Sequence, residues 1–355
     1  MNKSWLFAVV VYMLGIVKVL IVKLSAFGDI IHALPALDDV LARPEVNEVH
    51  WLVDSRFSFV TEVLPPQVKV HQIALKGGHP LREVRRVVKE LRAEKFDLAL
   101  DFQGLIKSSL LARLICPKVY GFDAKVIREK PASWFETSTA AHPDEINIVQ
   151  QVRRVAQSPW LSAEDVKKPI AYKPPQVRKS FDAVLPQALD VLKPWVVFNL
   201  GGSFATKELP DQTWLQVGQA LKDKGYAIVF CWGNAKEEAK AKQLNEAGLG
   251  YVLPKRLSTP ELYTFFKQSF AVIAADTGVL HLAAALGTPT ISFWGPTPRQ
   301  RNAPHGELDY HVESNPDCGP CIQKTCDNFI CMDMIQAKAI VQCIGNIEQK
   351  VNISC

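Results

Sequence analysis

The feature that most constrains the fold is an alternation of short apolar runs with helical stretches, which occurs twice along the chain. In the first half, apolar runs lie at 19–24, 48–55, 68–75 and 96–103, and a charged amphipathic stretch lies at 80–95. Apolar strands that alternate with helices indicate a parallel sheet covered on both faces. The first half is therefore predicted to be a doubly wound α/β domain, with one helix over 30–42 after its first strand.

The same order of elements restarts after residue 194. Strand-like runs lie at 195–202, 226–233, 271–276 and 289–295, and helix-like stretches lie at 211–225, 236–248, 259–269 and 279–287. The length of 355 residues also suits two domains. The predicted fold class is α/β, with two Rossmann-like doubly wound domains. Ligands sit at the carboxyl ends of parallel strands, so the site is expected in an interdomain cleft.

Composition shifts predict where the domains begin and end. The predicted segments are an apolar N-terminal extension at 1–17, a first domain at 18–172, a linker at 173–194, a second domain at 195–332 and a C-terminal helix at 333–355. The linker is rich in proline and charge, which is typical of a boundary between domains.

The N-terminal extension contains an uncharged run at 5–17. A membrane-spanning helix needs about 20 apolar residues, so this run is too short. Three interpretations stay open: a start site placed too early or a disordered extension, a peripheral membrane anchor, and a cleaved signal peptide. The signal peptide is the least favoured, because no A-x-A-like cleavage site follows.

Composition and charge exclude several classes of protein. The chain is 48% hydrophobic and 22% charged, which is average for a soluble globular protein and excludes disorder and collagen. The formal net charge of +5 is too weak to indicate nucleic-acid binding, but it is compatible with an anionic substrate.

The eight cysteines fall into different settings. Cys116 and Cys231 lie in apolar runs and are predicted to be buried thiols of a reducing compartment. Four more follow the spacing C-x2-C-x4-C-x4-C: Cys318, Cys321, Cys326 and Cys331. Four thiolates could hold zinc or an iron–sulfur cluster. The favoured interpretation is a structural or acceptor-loop role with no catalytic metal, with reduced thiols or local disulfides as the state of the loop.

Two loops of the second half have features that suit phosphate binding. The fingerprints G-x-G-x-x-G and G-x-x-x-x-G-K-[ST] are both missing from the sequence. However, GGSFATK at 201–207 follows a strand, and DTG at 276–278 leads into a helix. Glycines allow close backbone approach, and a helix N-terminus attracts anions. Each loop alone suits an ordinary turn or N-cap, but together they favour an anionic nucleotide, with Lys207 on its diphosphate.

Other polar residues also follow predicted strands. Asp29 lies just after the first strand, where it is either a helix N-cap or a general base. Asp101, Gln103 and Lys107 form a polar cluster after the strand at 96–103. In the second half, Glu237 either stabilises a helix start or holds a ribose hydroxyl pair, and His281 is either a partly buried helical residue or part of the site.

Long motifs of this sequence resemble those of the ADP-heptose:lipopolysaccharide heptosyltransferases, which are GT-B glycosyltransferases. The resemblance runs from about residue 17 to 343, through VLIVKLSAFGDIIHALPAL, LDFQGLIKSSLLARL, FNLGGSFATKELPDQTW, WGNAKEEAKAKQL and ADTGVLHLAAALGTPTISFWGPTP. The segments DFQGLIKS and GFDAKVIREKPAS look most like heptosyltransferase I. The cysteine-rich stretch looks more like the type II and III branches.

The resemblance implies roles for individual residues. Asp29 and Lys207 would be catalytic, Asp29 as the base. The implied donor-binding residues are Ser203, Thr206, Lys207, Glu237, Asp276, Thr277, Gly278 and His281. The candidate acceptor-binding residues in the first domain are Asp101, Gln103, Lys107, Arg113 and Arg128, because the implied acceptor carries carboxylates and phosphates. The first domain would then bind the acceptor and the second the nucleotide-sugar.

The implied reaction is an inverting transfer of L-glycero-D-manno-heptose from ADP-heptose to Kdo (3-deoxy-octulosonate) of the lipopolysaccharide inner core. No D-x-D sequence occurs, and no cofactor or metal is expected. The implied partners are ADP-heptose and Kdo-lipid A, with peripheral contact at the cytoplasmic face of the inner membrane. Three alternatives stay open: transfer from another nucleotide-sugar, type II or III specificity for a heptose acceptor, and a sugar-nucleotide-binding protein without turnover.

Overall fold

The computed structural model describes residues 17–192 and 194–353. The chain divides into two compact units, of which the first ends at Lys173 and the second begins at Pro174. The apolar N-terminal run lies almost wholly outside the described residues. Among the described residues, no helix is long and apolar enough to cross a membrane.

The first unit is an alternation of strands and helices. Its strands are β1 (Val17–Val22), β2 (Val46–Asp54), β3 (Val68–Ile73), β4 (Leu98–Asp101), β5 (Val119–Phe122) and β6 (Ser138–Ala140). Its α-helices are α1 (Phe27–His32), α2 (Leu34–Leu41), α3 (Pro80–Ala93), α4 (Ile106–Ile115) and α5 (Ile148–Gln157). A 3-10 turn, Lys130–Phe135, lies between β5 and β6.

The six strands of this unit form one parallel sheet in the order β3-β2-β1-β4-β5-β6. One face is covered by α3 and α4, whose buried residues Val87, Leu91 and Leu111 pack with Leu20 and Val22 of β1. This is the doubly wound order in which the strand sequence reverses between β1 and β4.

The helix predicted over 30–42 is wrong in one respect, because the structure has two helices there. α1 ends at His32 and α2 begins at Leu34, with Pro35 in its first turn. Proline has no backbone N–H to donate and is tolerated in the first turn of a helix, so the hydrogen-bond ladder restarts at this point.

The second unit repeats the alternation. Its strands are β7 (Trp195–Asn199), β8 (Ala227–Cys231), β9 (Tyr251–Val252), β10 (Ala271–Ala275), β11 (Thr290–Trp294) and β12 (Asp309–Glu313). Its α-helices are α6 (Asp211–Asp223), α7 (Ala235–Glu246), α8 (Thr259–Gln268), α9 (Gly278–Ala285), α10 (Arg299–Asn302) and α11 (Ala337–Ile353).

The strands of the second unit form a second six-stranded parallel sheet, in the order β12-β11-β10-β7-β8-β9. This is the same topology as in the first unit, with β7 and β10 in the places of β1 and β4. Its core contains Phe198, Trp214 and Phe293, and α11 adds Ile344 and Ile347. The predicted fold class, two doubly wound α/β units, is confirmed.

The proline-rich segment predicted as a linker has backbone contacts within the second unit. Val177 N donates to the carbonyl oxygen of Ala285, at 2.9 Å. Ala183 N donates to Oγ1 of Thr264, at 3.2 Å. Beyond residue 173 this segment therefore packs along the second unit.

Candidate active site

Each sheet has one point at which the strand order reverses, and the candidate residues follow the strands at these points. In the first unit, Asp29 follows β1 and Asp101 ends β4. In the second unit, the loop 201–207 follows β7 and Asp276 follows β10. The crevice at such a switch point is where open α/β sheets bind ligands. Each unit therefore carries one candidate subsite.

The second subsite is centred on a buried ion pair. Lys207 Nζ donates to Oδ2 of Asp276 at 2.9 Å and to the backbone carbonyl oxygen of Asp276 at 2.8 Å. His281 Nε2 lies 3.1 Å from Oδ1 of Asp276. The carboxylate of Asp276 thus contacts two other predicted site residues, Lys207 and His281.

The charge of Asp276 is well compensated. Burial alone would raise the pKa of its carboxyl group, but His281 and Lys207 hold that pKa well below its usual range. Asn302 adds a third hydrogen bond, from Nδ2 to Oδ2 at 3.2 Å. Asn302 is not among the predicted site residues, and no signal in the sequence pairs it with a residue 26 positions earlier.

The N-terminus of α9 lies next to this ion pair. Thr277 is its N-cap, and its Oγ1 accepts a hydrogen bond from Leu280 N at 3.4 Å. Gly278 is the first residue of the helix. The free N–H groups of a helix start suit the binding of phosphate oxygens. Anion binding by the DTG loop remains a prediction.

Glu237 lies against the loop that carries Lys207. A Cβ atom at Gly201 would collide with the carboxylate of Glu237, so only glycine allows this approach. The carboxylate accepts hydrogen bonds from Gly233 N and Asn234 Nδ2, both at 2.7 Å. It therefore sits at the rim of the subsite, where the ribose role remains a prediction.

The remaining predicted donor residues differ in their exposure. Ser203 is exposed, whereas Thr206 is buried. Thr206 Oγ1 donates to the backbone carbonyl oxygen of Gln323, at 2.6 Å. This hydrogen bond ties the loop of Lys207 to the cysteine-rich loop, a connection that the sequence did not indicate.

In the first unit, Asp29 lies in the first turn of α1 and is half-buried. Its Oδ2 accepts a hydrogen bond from Ala26 N at 3.2 Å. The alternative that Asp29 is the N-cap is wrong, because the N-cap is Ala26 and Asp29 is the third residue of the helix, whose side chain reaches back to the N-cap N–H. One bond does not saturate a carboxylate, whose oxygens can accept several. The role of Asp29 as general base remains a prediction.

Asp101 and Gln103 are buried. Asp101 accepts hydrogen bonds from Ser109 Oγ at 2.6 Å and from Gln103 N at 2.9 Å, and so shapes the loop after β4. Gln103 Oε1 accepts from Ser25 N, at 2.9 Å. These contacts join the loops after β1 and β4. Direct binding of the acceptor by either residue remains a prediction.

The three predicted basic residues Lys107, Arg113 and Arg128 are exposed. Arg113 donates to a backbone carbonyl oxygen just after its own helix. The structure also adds a pair that sequence reasoning missed, Asp54 and Arg56, at the carboxyl end of β2. Burial would raise the pKa of Asp54, but hydrogen bonds from Arg56 and the charge of Lys107 hold it below its usual range.

The cysteines occupy the two predicted settings. Cys116 and Cys231 are buried, as predicted, and burial raises the pKa of Cys231 to about 12. The four cysteines of the C-x2-C-x4-C-x4-C stretch line one pocket beside Thr206: Cys318, Cys321, Cys326 and Cys331. In the described ranges, their sulfur atoms do not form a group of three within 4.8 Å of one another. The structural or acceptor-loop role of this loop remains a prediction.

Comparison with known proteins identifies the class of protein. The model of Glycosyltransferase family 9 (heptosyltransferase) matches residues 84–330, well over half of the chain. The chain therefore belongs to this family of glycosyltransferases. The resemblance stated from the motifs and the prediction of an enzyme are both confirmed.

Two relatives point to one branch of the family. The chain is 32% identical over 321 residues to lipopolysaccharide heptosyltransferase 1 of Pseudomonas aeruginosa, covering 87% of both chains. It is 31% identical over 294 residues to lipopolysaccharide heptosyltransferase 1 of Escherichia coli K12, covering 79% of this chain and 88% of that one. The predicted likeness to type I is thus confirmed.

A solved structure agrees with this placement. The E. coli heptosyltransferase WaaC, solved with ADP-2-deoxy-2-fluoro heptose, has a TM-score of 0.72 to this chain at 26% identity. The match covers 93% of this chain and 99% of that one. The fold of the two units is therefore the heptosyltransferase GT-B fold.

Proposed function

We propose that this chain transfers L-glycero-D-manno-heptose from ADP-heptose to Kdo of the lipopolysaccharide inner core, with inversion at the sugar carbon. Two relatives that match 87% and 79% of this chain are named lipopolysaccharide heptosyltransferase 1. The similar enzyme WaaC was solved with an ADP-heptose analogue. The observation that carries the proposal furthest is the buried Lys207–Asp276–His281 group beside the N-terminus of α9.

The donor chemistry follows from this group. ADP-heptose would place its diphosphate at Lys207 and at the free N–H groups after Thr277. The bond between the sugar carbon and the diphosphate oxygen breaks during transfer, so negative charge develops on the diphosphate. Preorganised positive groups stabilise such charge most strongly in a water-poor site. Asp276 keeps Lys207 in place, and Glu237 would hold the ribose.

The residues that would activate and bind the acceptor belong to the first unit. Asp29 would take the proton of the acceptor hydroxyl while that oxygen attacks the sugar carbon, which is general base catalysis. Lys107, Arg113 and Arg128 would attract the carboxylates and phosphates of Kdo-lipid A. This division supplies a base and leaving-group stabilisation from side chains and backbone, so we propose that the reaction needs no metal.

A contact with the membrane is part of the proposal, at the cytoplasmic face of the inner membrane. The outer side of α3 is basic, through Arg82, Arg85, Arg86, Lys89 and Arg92. Arg92 Nε donates to the carbonyl oxygen of Leu114 at 2.6 Å and so joins α3 to α4. Large apolar side chains stay exposed on the same layer, among them Leu81 at 74% and Trp134 at 81%. Basic and apolar groups together suit an anionic lipid surface.

A second candidate acceptor is a heptose, as in type II and III enzymes, which the cysteine-rich loop favours. The test is an assay of ADP release with ADP-heptose and either Kdo-lipid A or heptosylated Kdo-lipid A. We expect turnover with Kdo-lipid A, and NMR of the product should show an α-linked heptose. Turnover with the heptosylated acceptor alone would favour the type II or III alternative. Release of no ADP from any pairing would favour a binding protein without turnover.

Two further measurements test the choice of donor and the need for a metal. UDP- and GDP-sugars should not replace ADP-heptose as donor. EDTA should leave the rate unchanged, because the leaving group is stabilised by Lys207 and the start of α9. A full loss of rate with EDTA that Mg²⁺ restores would overturn the metal-independent mechanism.

A further inference from the structure

Two carboxyl groups of the first unit, one on the buried Asp101 and one on the half-buried Glu136, share a single hydroxyl group. Ser109 Oγ lies 2.6 Å from Oδ2 of Asp101 and 3.2 Å from Oε1 of Glu136. A serine hydroxyl has one proton, so it can donate to only one of the two carboxyl groups. The other carboxyl group must bring its own proton if it is to form a hydrogen bond.

The count of donors assigns that proton to Glu136. Asp101 also accepts hydrogen bonds from the backbone N–H groups of Gln103 at 2.9 Å and Gly104 at 3.4 Å, which favours its charged form. Ser108 Oγ lies 3.0 Å from Oδ2 of Asp101 and 2.8 Å from the carbonyl oxygen of Leu105, so its single proton has two acceptors. Glu136 has no such donors, and its Oε2 is buried without a hydrogen-bond partner in the described part of the chain. Glu136 is thus the carboxyl group with fewer donors, and in its protonated form it can donate to Ser109 Oγ, which lies 3.2 Å from its Oε1.

The surroundings of Glu136 agree with a neutral carboxylic acid. A Cβ atom at Gly121 would overlap its carboxyl group, so the acid packs directly onto the backbone of β5. Burial and the nearby charge of Asp101 raise the pKa of Glu136 to about 8. The pKa of Asp101 is also raised, because the effect of burial outweighs the hydrogen bonds that oppose it.

The network reaches the loop of Asp29. Asp101 fixes the backbone at Gln103, and Gln103 Oε1 accepts a hydrogen bond from Ser25 N at 2.9 Å. Ser25 precedes Ala26, whose N–H donates to Asp29. The proton of Glu136 is therefore connected to the loop of the proposed base through Ser109, Asp101 and Gln103.

We propose that Glu136 is a positioning residue of this transferase, a neutral acid whose proton holds the Asp101 loop, and through it the loop of Asp29. The proposal rests on the proposed function in that it takes Asp29 as the base. Loss of the proton would leave two carboxylates facing one hydroxyl group. Their repulsion would then loosen the loop after β4.

Other charged groups on the packed elements lie farther out. Lys107 and Arg113 of α4 and Lys130 of the 3-10 turn are exposed, and Tyr120 of β5 is half-buried. Asp101 is the charged group that raises the pKa of Glu136. Because these cations are exposed to solvent, we expect the pKa of Glu136 to be set mainly by its contacts with Ser109 and Asp101.

The main test is the pH dependence of kcat in the full chain and in Glu136→Gln. In the wild type, kcat should fall about tenfold from pH 7 to pH 9, as expected for loss of one proton near pH 8. Glu136→Gln keeps an N–H donor for Ser109 and cannot ionise, so its kcat should match the wild type within about threefold at pH 7 and stay level to pH 9. The same alkaline fall in Glu136→Gln as in the wild type would overturn the proposal.

A matched control and a second readout complete the test. Glu129→Gln changes an exposed carboxylate that caps α4 through Ile106 N, and it should keep the wild-type pH profile. Infrared difference spectra between pH 7 and pH 9 should show the loss of one protonated carboxyl band that Glu136→Gln lacks. Absence of this band from the wild type would overturn the proposal even if the acceptor is not Kdo, because the spectrum does not depend on turnover.

Discussion

At the scale of single residues, Asp29 and Lys207 divide the proposed chemistry between the two units. Asp29 is half-buried and accepts one hydrogen bond. Lys207 is buried and held by two hydrogen bonds to Asp276, which leaves it with a fixed position. A general base and a fixed positive charge are what the two halves of a displacement reaction need, and the proposal assigns one to each unit.

Replacement of the base should affect turnover alone. Asp29→Asn keeps the size of the side chain and an oxygen for the Ala26 N–H, but an amide cannot take the proton. We expect kcat to fall by at least ~10²-fold with unchanged affinity for ADP. Steady-state kinetics and calorimetry with ADP measure the two quantities. The control is Asp97→Asn, which should keep the wild-type rate. Asp97 is exposed and lies just before β4, at the amino end of the strand and away from the candidate site at the carboxyl ends. A rate for Asp29→Asn within threefold of wild type would exclude Asp29 as the base.

Replacement of Lys207 should affect binding as well. Lys207→Ala removes a charge that meets the diphosphate both in the bound substrate and in the transition state, so the affinity for ADP-heptose and the rate should both fall. A hydrogen bond to a charged group contributes about 1.5–3 kcal/mol, which corresponds to about 10- to 100-fold in affinity. Lys236→Ala is the control, because Lys236 is exposed and pairs with Glu208 in the same unit. Unchanged donor affinity in Lys207→Ala would contradict the assigned role.

At the scale of elements, the strands that follow strong apolar patterns were the predictable ones. β1, β7, β8 and β10 are runs of buried aliphatic and aromatic residues, so a pattern of consecutive apolar residues finds them. β5 and β6 are four and three residues long, and the exposed polar positions of β6 hide it in the sequence. Such short strands form by pairing with a neighbour, which local sequence does not record.

The same limit applies to the candidate site. The strand-end positions of Asp29, Lys207 and Asp276 were predictable, because turn residues and glycines follow recognisable strands. The ion pair of Lys207 with Asp276 was not, since it joins residues 69 positions apart through the pairing of β7 with β10. The internal role of Asp101 could not be predicted either, because it depends on Ser109 and on the distant Glu136.

The basic outer side of α3 leads to a prediction about membrane binding. Each Lys or Arg near an anionic membrane surface contributes about 1 kcal/mol, so three charge reversals should weaken binding by well over tenfold. We expect the triple variant Arg82→Glu/Arg85→Glu/Lys89→Glu to lose sedimentation with vesicles of phosphatidylglycerol and phosphatidylethanolamine. Trp134→Ser should weaken binding separately, through the lost apolar contact.

A matched triple variant tests whether position matters or only net charge. Lys222→Glu/Lys236→Glu/Lys242→Glu makes the same change of charge on exposed lysines of the second unit. It should keep most of the vesicle binding. Equal losses in both triple variants would show that only net charge matters. Undiminished binding of the first variant, abolished by removal of residues 1–16, would instead favour the N-terminal run as the anchor.

At the scale of the whole molecule, the chain repeats one topology in two units with separate cores. The order of strands is the same in both sheets, and each core is built from residues of its own unit. Loops of equivalent position therefore carry different chemistry: Asp29 and Gln103 in the first unit, Lys207 and Asp276 in the second. A repeated fold with divided roles suits a reaction that joins two different substrates.

This division predicts where ADP stabilises the protein. A ligand at 100 times its Kd stabilises the structure that binds it by about 2.7 kcal/mol, which slows amide exchange by unfolding about 100-fold. All the proposed donor residues belong to the second unit, so ADP should slow hydrogen exchange in β7, β8 and β10 and leave β1, β2 and β4 near their free rates. Hydrogen-exchange mass spectrometry of the full chain measures this strand by strand. Lys207→Ala at the same ADP concentration should show much weaker protection, whereas equal slowing of the first-unit strands by ADP would show that the donor site is not confined to the second unit.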